Sequence, residues 1–181
     1  VHLLGTMMFG AGIWLVAQTY HLSAHYPNAF FAWGLGALML AWAMPSILQG
    51  VLACVILSIW AGCEAFHYQH AMYLAPVLLG VGTVGLALRL RSRVLLTCGA
   101  LALGFCEIAC CHHRILEDFS PVVFGLIAVQ YLAAAWLLRT PASPQPYSVV
   151  ILRALGTFLF YGLLYVVCFS EVCEHEIFNP H

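Results

Sequence analysis

Long stretches of this sequence carry no charge at all. Val122 to Leu138, VVFGLIAVQYLAAAWLL, contains no Asp, Glu, Lys or Arg and is about as long as a bilayer core requires, roughly 17–25 residues. In lipid each backbone polar group must be satisfied within its own segment, so such runs read as helices. With 181 residues, 64% of them hydrophobic and 7% charged, and with no lysine, the chain departs from soluble domains, which carry about 25% charged residues. There is room for about seven spans of ~20 residues and for no extramembrane domain. A net charge of −1 leaves no basic stripe to neutralise phosphates and excludes nucleic acid as a partner.

The expected fold is therefore all-α: one transmembrane bundle over residues 1–181, with spans near 3–20, 29–44, 47–66, 72–88, 94–111, 121–138 and 149–169. Pro45 stops the second run and the MPS turn permits an immediate reversal. Pro121 suits the first turn of the sixth. TPASPQPYS is the one Pro/Ser-rich loop. A count of six follows if the second and third runs form one broken hairpin. The first run lacks a basic leader and a small-residue cleavage site, so it is expected to be retained and not removed as a signal peptide. Gly5, Gly10, Gly12, Gly34, Gly36, Gly80, Gly82 and Gly85 are expected to let helices approach closely.

Orientation follows from the arginines. Arg89, Arg91 and Arg93 lie between the fourth and fifth runs, and Arg139 and Arg153 flank the loop between the sixth and seventh. These loops share a side, which the positive-inside rule makes cytoplasmic, against Arg114 alone on the other. The N-terminus is then cytoplasmic and the C-terminus outside. All seven acidic residues and eight of the nine histidines fall on that outer side.

On that side the third run ends in Glu64, His67 and His70, an E-x-x-H-x-x-H pattern in which residues three apart share a helix face. The fifth carries Glu107, His112 and His113, and the tail carries His175 among Glu171, Glu174 and Glu176. These seven, Glu64, His67, His70, Glu107, His112, His113 and His175, are the candidate metal ligands. Imidazole and carboxylate suit zinc or copper, and the nearby Cys63, Cys106, Cys110, Cys111, Cys168 and Cys173 add thiolate. Haem held by two of His21, His67, His113 and His175 fits less well, and no C-x-x-C-H is present. The plainer reading is that His and Glu at helix ends are solvated by headgroups and water, and that the cysteines pack as small apolar residues. Glu107 resists that reading: it sits about one turn inside its run, where an ionised carboxylate costs on the order of 2–3 kcal/mol without water or a partner. Cys173 with Cys110 or Cys111 is a candidate disulfide. His21 and His25 match H-x-x-x-H, but in a loop-like segment.

Phe9 to Met44, FGAGIWLVAQTYHLSAHYPNAFFAWGLGALMLAWAM, resembles the bacterial inner-membrane proteins grouped as domain of unknown function 2157. Gln18, Tyr20, His21 and Ser23 precede the turn, and Trp33, Leu35, Gly36, Ala37 and Leu38 follow it. The resemblance covers about the first 70 residues. It implies a multi-span protein of the bacterial inner membrane with no settled activity and no functional residues to carry over. Family members typically have a polar region and further spans ahead of this motif.

Three functional readings stand. The first is an integral subunit or accessory protein of a larger membrane assembly, whose partners are the lipid bilayer and other membrane subunits. The second is a metal-binding protein with a His/Glu/Cys site on the outer, periplasmic face. The third is a membrane metalloenzyme or a haem- or quinone-linked redox protein. No H-E-x-x-H or G-x-S-x-G is present, which points away from an enzyme. The inner halves of the runs are nearly devoid of polar residues, which argues against ion transport.

Overall fold

In the computed structural model, the described residues are 2–20, 25–68, 73–115, 120–138 and 146–178, with side chains over 2–20, 25–68, 73–110, 123–138 and 147–165. Among them all regular structure is helical. The seven hydrophobic runs form α1 (His2–Thr19), α2 (Pro27–Ala43), α3 (Ile47–His67), α4 (Leu74–Leu90), α5 (Arg93–Ile115), α6 (Ser120–Leu137) and α7 (Pro146–Phe178). Three described stretches are long and apolar enough to cross a membrane: Ile47–His67, Arg93–Cys110 and Tyr147–Tyr165. The remaining helices are apolar but shorter or less hydrophobic along their described length.

Local sequence explains the boundaries. Pro27 opens α2 at its first turn, where a missing N–H costs nothing. Ser46 caps α3 by accepting a hydrogen bond from the Gln49 amide, so residues 44–46 make the sharp reversal and α2 and α3 are two helices. Arg91 adopts a left-handed conformation, φ 52°, just past α4, the usual helix-ending geometry. Ser92 then caps α5 through the Leu95 amide.

Two helices are not α throughout. The last turn of α3, Cys63–His67, and the middle of α4, Leu78–Val84, are π-helical. This widening interrupts the ordinary i, i+4 register, and π-turns of this sort are rare and concentrate at functional sites. Nothing in the hydrophobic pattern announces them.

The chain divides into two compact units, residues 1–113 and 114–181. The core of the first is built from small and branched residues: Ala37 and Ala41 of α2, Ala53, Ile56 and Leu57 of α3, Leu79 and Leu86 of α4, Leu95 and Ala100 of α5. Gly10 lies against the Trp33 ring, which would sit 2.3 Å from an added Cβ, and Gly34 lies against Leu57. Gly5 and Gly12, expected to pack in the same way, face open space instead.

Buried polar groups tie these helices together. Gln49 Nε2 donates to Thr6 Oγ1 at 2.7 Å. Trp33 Nε1 donates to the Thr6 carbonyl at 2.9 Å, and Trp42 Nε1 to the Gly82 carbonyl at 3.0 Å within the π-helical stretch of α4. In the second unit α6 and α7 run antiparallel. Gly156 of α7 lies against Leu132 and the Ala128 carbonyl, and Gly125 of α6 against Leu163.

Candidate functional site

The most chemically loaded place among the described residues is where the turn before α2 meets the π-helical end of α3. Glu64 is 1% exposed, and His25 Nε2 donates to its Oε1 over 2.6 Å, the imidazole itself being 29% exposed. A carboxylate buried this deeply needs a strong donor close by, and a hydrogen bond of this length supplies one. The two residues are 39 apart in sequence. Pro27 fixes the start of α2, and this positions His25 two residues ahead of it.

Aromatic rings enclose the pair. The Tyr68 ring lies 3.9 Å from the His25 ring, centroid to centroid, and Tyr26 lies 5.6 Å from Tyr68. Tyr and Trp are enriched at membrane–water interfaces, where one end of the ring is apolar and the other wet. The Tyr26 phenol is pushed above its ordinary value of 10 by partial desolvation, then by its hydrogen bond to the Cys63 thiol and by the neighbouring Tyr68 and Glu64. A neutral phenol is thus held beside the buried carboxylate. The arrangement can fix one imidazole tautomer and exchange a proton with whatever meets the ring.

Of the candidate ligands, Glu64 is buried in this pair. His67 is exposed, its ring edge-on to Tyr68 at 4.9 Å. His67 also lies 6.0 Å from the Tyr26 ring, centroid to centroid, so it borders the same aromatic cluster, at a π-helical end of α3 where the ladder runs from i to i+5. Glu107 is half-buried in α5, with its Oε2 closed off from solvent. The side chains of His70, His112, His113 and His175 lie outside the described residues, as do those of His21, Cys111, Cys168 and Cys173. Among the described residues no three His, Cys, Asp or Glu side chains are gathered to hold a metal ion. Cys54, Cys63, Cys98 and Cys106 are free thiols, and three of them, Cys54, Cys63 and Cys98, line an open groove of about 590 Å³ between α3 and α5.

His25 is the residue that sequence reasoning passed over as a partner for Glu64. The signal for it was indirect: a buried carboxylate demands a donor, and His25 sits in a short turn pinned by Pro27. Beside it opens a second cleft of about 720 Å³ along α1 and the start of α2, with Trp14 and Gly12 on its wall and His25 and Tyr26 at one end.

The family model described as "Predicted membrane protein (DUF2157)" matches residues 1–49, a shorter stretch than the 70 residues over which the resemblance was expected. That stretch contains α1, α2, the turn carrying His25 and the first residues of α3, but not Glu64. No curated protein and no solved structure matches the chain.

Proposed function

We propose that the chain is a seven-span protein of the bacterial inner membrane, N-terminus cytoplasmic and C-terminus periplasmic, that serves as a subunit or accessory protein of a larger membrane assembly. The observation that carries this reading is the surface of α7. Beside α6 in its own unit, its span Tyr147–Tyr165 is only 17% buried. Val150, Phe158, Tyr161 and Tyr165 stand out from it. Exposed Tyr and Phe in number are a common feature of docking surfaces. Native mass spectrometry of the full chain, released directly from membranes, is the test. Fixed-stoichiometry partners are expected, and a lone monomer at every detergent concentration overturns the reading.

The same measurement bears on a metal site at the outer face. That second reading draws support from the buried Glu64 carboxylate beside an imidazole, and it draws on His70, His112, His113 and His175 for further ligands. Zinc or copper at one equivalent, lost in His67→Ala and His175→Ala variants, is its expected result. Less than about a tenth of an equivalent, at the ligand counts such sites need, removes it.

A further inference from the structure

The cleft along α1 is apolar over most of its length and polar at one end. Phe9, Ile13 and Trp14 supply its wall, and Trp14 is braced edge-on by Phe30 at 5.2 Å. Gly12 opens it, since nothing lies within 4 Å of a Cβ added there. The rim is formed by Asn28, Tyr26 and the His25 ring that Glu64 holds. A concave apolar site with a few convergent polar groups is the usual form of a small-molecule site, and about 720 Å³ falls within the ~300–1,000 Å³ range of such sites.

The charge around the rim narrows the class of ligand. The arginines described in this unit are Arg89, Arg91 and Arg93, at the junction of α4 and α5. That junction packs beside the start of α3, where Gly50 meets Leu86 and Leu95. Glu64 lies fourteen residues further along α3, about 20 Å away at 1.5 Å per residue. The rim therefore has a hydrogen-bonded imidazole–carboxylate pair, a phenol and an amide, and no described guanidinium. Among the described residues a phosphate headgroup would meet a buried carboxylate and no guanidinium, whereas a neutral ring bearing carbonyl or hydroxyl oxygens meets donors and acceptors. The flat faces of Trp14 and Tyr26 suit a planar ring.

We propose that this cleft binds a neutral isoprenoid amphiphile of the quinone/quinol class. Its ring lies at the His25/Asn28 rim and its first tail units run along Gly12 and Trp14. This site stands apart from the assembly reading and does not need it. The test is fluorescence quenching by decyl-ubiquinone, titrated into the full chain in phosphatidylcholine nanodiscs, with Trp14 as the reporter at the site. Wild type and Gly5→Leu, the same change at an open position of α1 outside the cleft, are expected to show a saturable component. Gly12→Leu, which fills the cleft, weakens it by at least about tenfold, and Asn28→Leu, an exposed change at the rim, by about threefold or more, since each tenfold is about 1.4 kcal/mol. If Gly12→Leu does not fold, Asn28→Leu and Trp14→Phe carry the test, and the latter must lose the saturable signal. Quenching that rises without saturation in wild type, or unaltered affinity in the folded cleft variants, overturns the proposal. Equal displacement by dodecylphosphocholine makes the cleft a general acyl-chain groove and overturns it too.

Discussion

At the scale of single residues, Glu64 explains more than any other side chain. Its position at the mouth of the third run marks it in the sequence as a carboxylate needing a partner, but the partner itself was not legible. Helical spacing pointed to His67, which is exposed at the π-helical end of α3, a turn that leaves no trace in the hydrophobic pattern. The true donor, His25, is 39 residues away, and only the tertiary fold brings it there. His25→Ala removes a charge-assisted donor from a buried acceptor and is expected to cost about 1–3 kcal/mol, seen as a lower midpoint in thermal unfolding of the detergent-purified protein. Glu64→Gln keeps an acceptor and removes the charge, so its loss is smaller. Equal stability of His25→Ala and wild type would show that the pair does not hold the turn to α3. Tyr26 gives a second check. Its raised pKa favours the neutral phenol in the folded state, so the stability it contributes is present below the ordinary value of 10 and is lost as pH climbs past it. The ultraviolet titration of wild type minus that of Tyr26→Phe should show one phenol ionising above 10, and a midpoint at or below 10 contradicts the desolvated setting.

Helices were far more legible, because a long uncharged run has few ways to satisfy its backbone in lipid. The turns at Pro45 and Pro121 were legible for a similar reason: they act through local sterics, which need no tertiary knowledge. Which faces meet was not. The glycines of α1 look alike in sequence, yet Gly10 touches Trp33 and Gly12 touches nothing. Trp33 cannot swing aside easily, because its indole is tied to the Thr6 carbonyl. Gly10→Ala is thus expected to destabilise the α1–α2 contact by about 1–3 kcal/mol, the usual cost of overpacking. Gly12→Ala should be neutral or gain up to about 1 kcal/mol from helix propensity. Thermal unfolding of the two variants side by side decides the matter, and a reversed order would mean that α1 is rotated about its axis relative to this description. Thr6→Val removes the hydroxyl that Gln49 meets and should cost only about 0.6 kcal/mol, the average for hydrogen bonds between membrane helices.

For the molecule as a whole, the argument rests on where charge is absent as much as on where it is present. At 1.5 Å per residue, the 18 residues of α1 and the 17 of α2 span about 25–27 Å, slightly less than a core of about 30 Å. Were they to cross such a core, a shortfall of that size would be met by local thinning or by snorkelling at the ends, at fractions of a kcal/mol per Å. Orientation then depends on few charges. Arg89, Arg91 and Arg93 sit in one tight turn, and neither Lys nor a rival cluster of Arg lies elsewhere in the sequence. An alkaline phosphatase reporter at the C-terminus should be active and one placed after Arg91 inactive. Replacing Arg89, Arg91 and Arg93 together by Gln removes half of the six basic residues and should produce a mixed population, read as partial activity at both positions. Acidic residues contribute little to this bias, so neutralising Glu171, Glu174 and Glu176 should leave the wild-type pattern intact. A silent C-terminal reporter in the wild type would reverse the topology, and with it the assignment of the His25–Glu64 end to the periplasmic side.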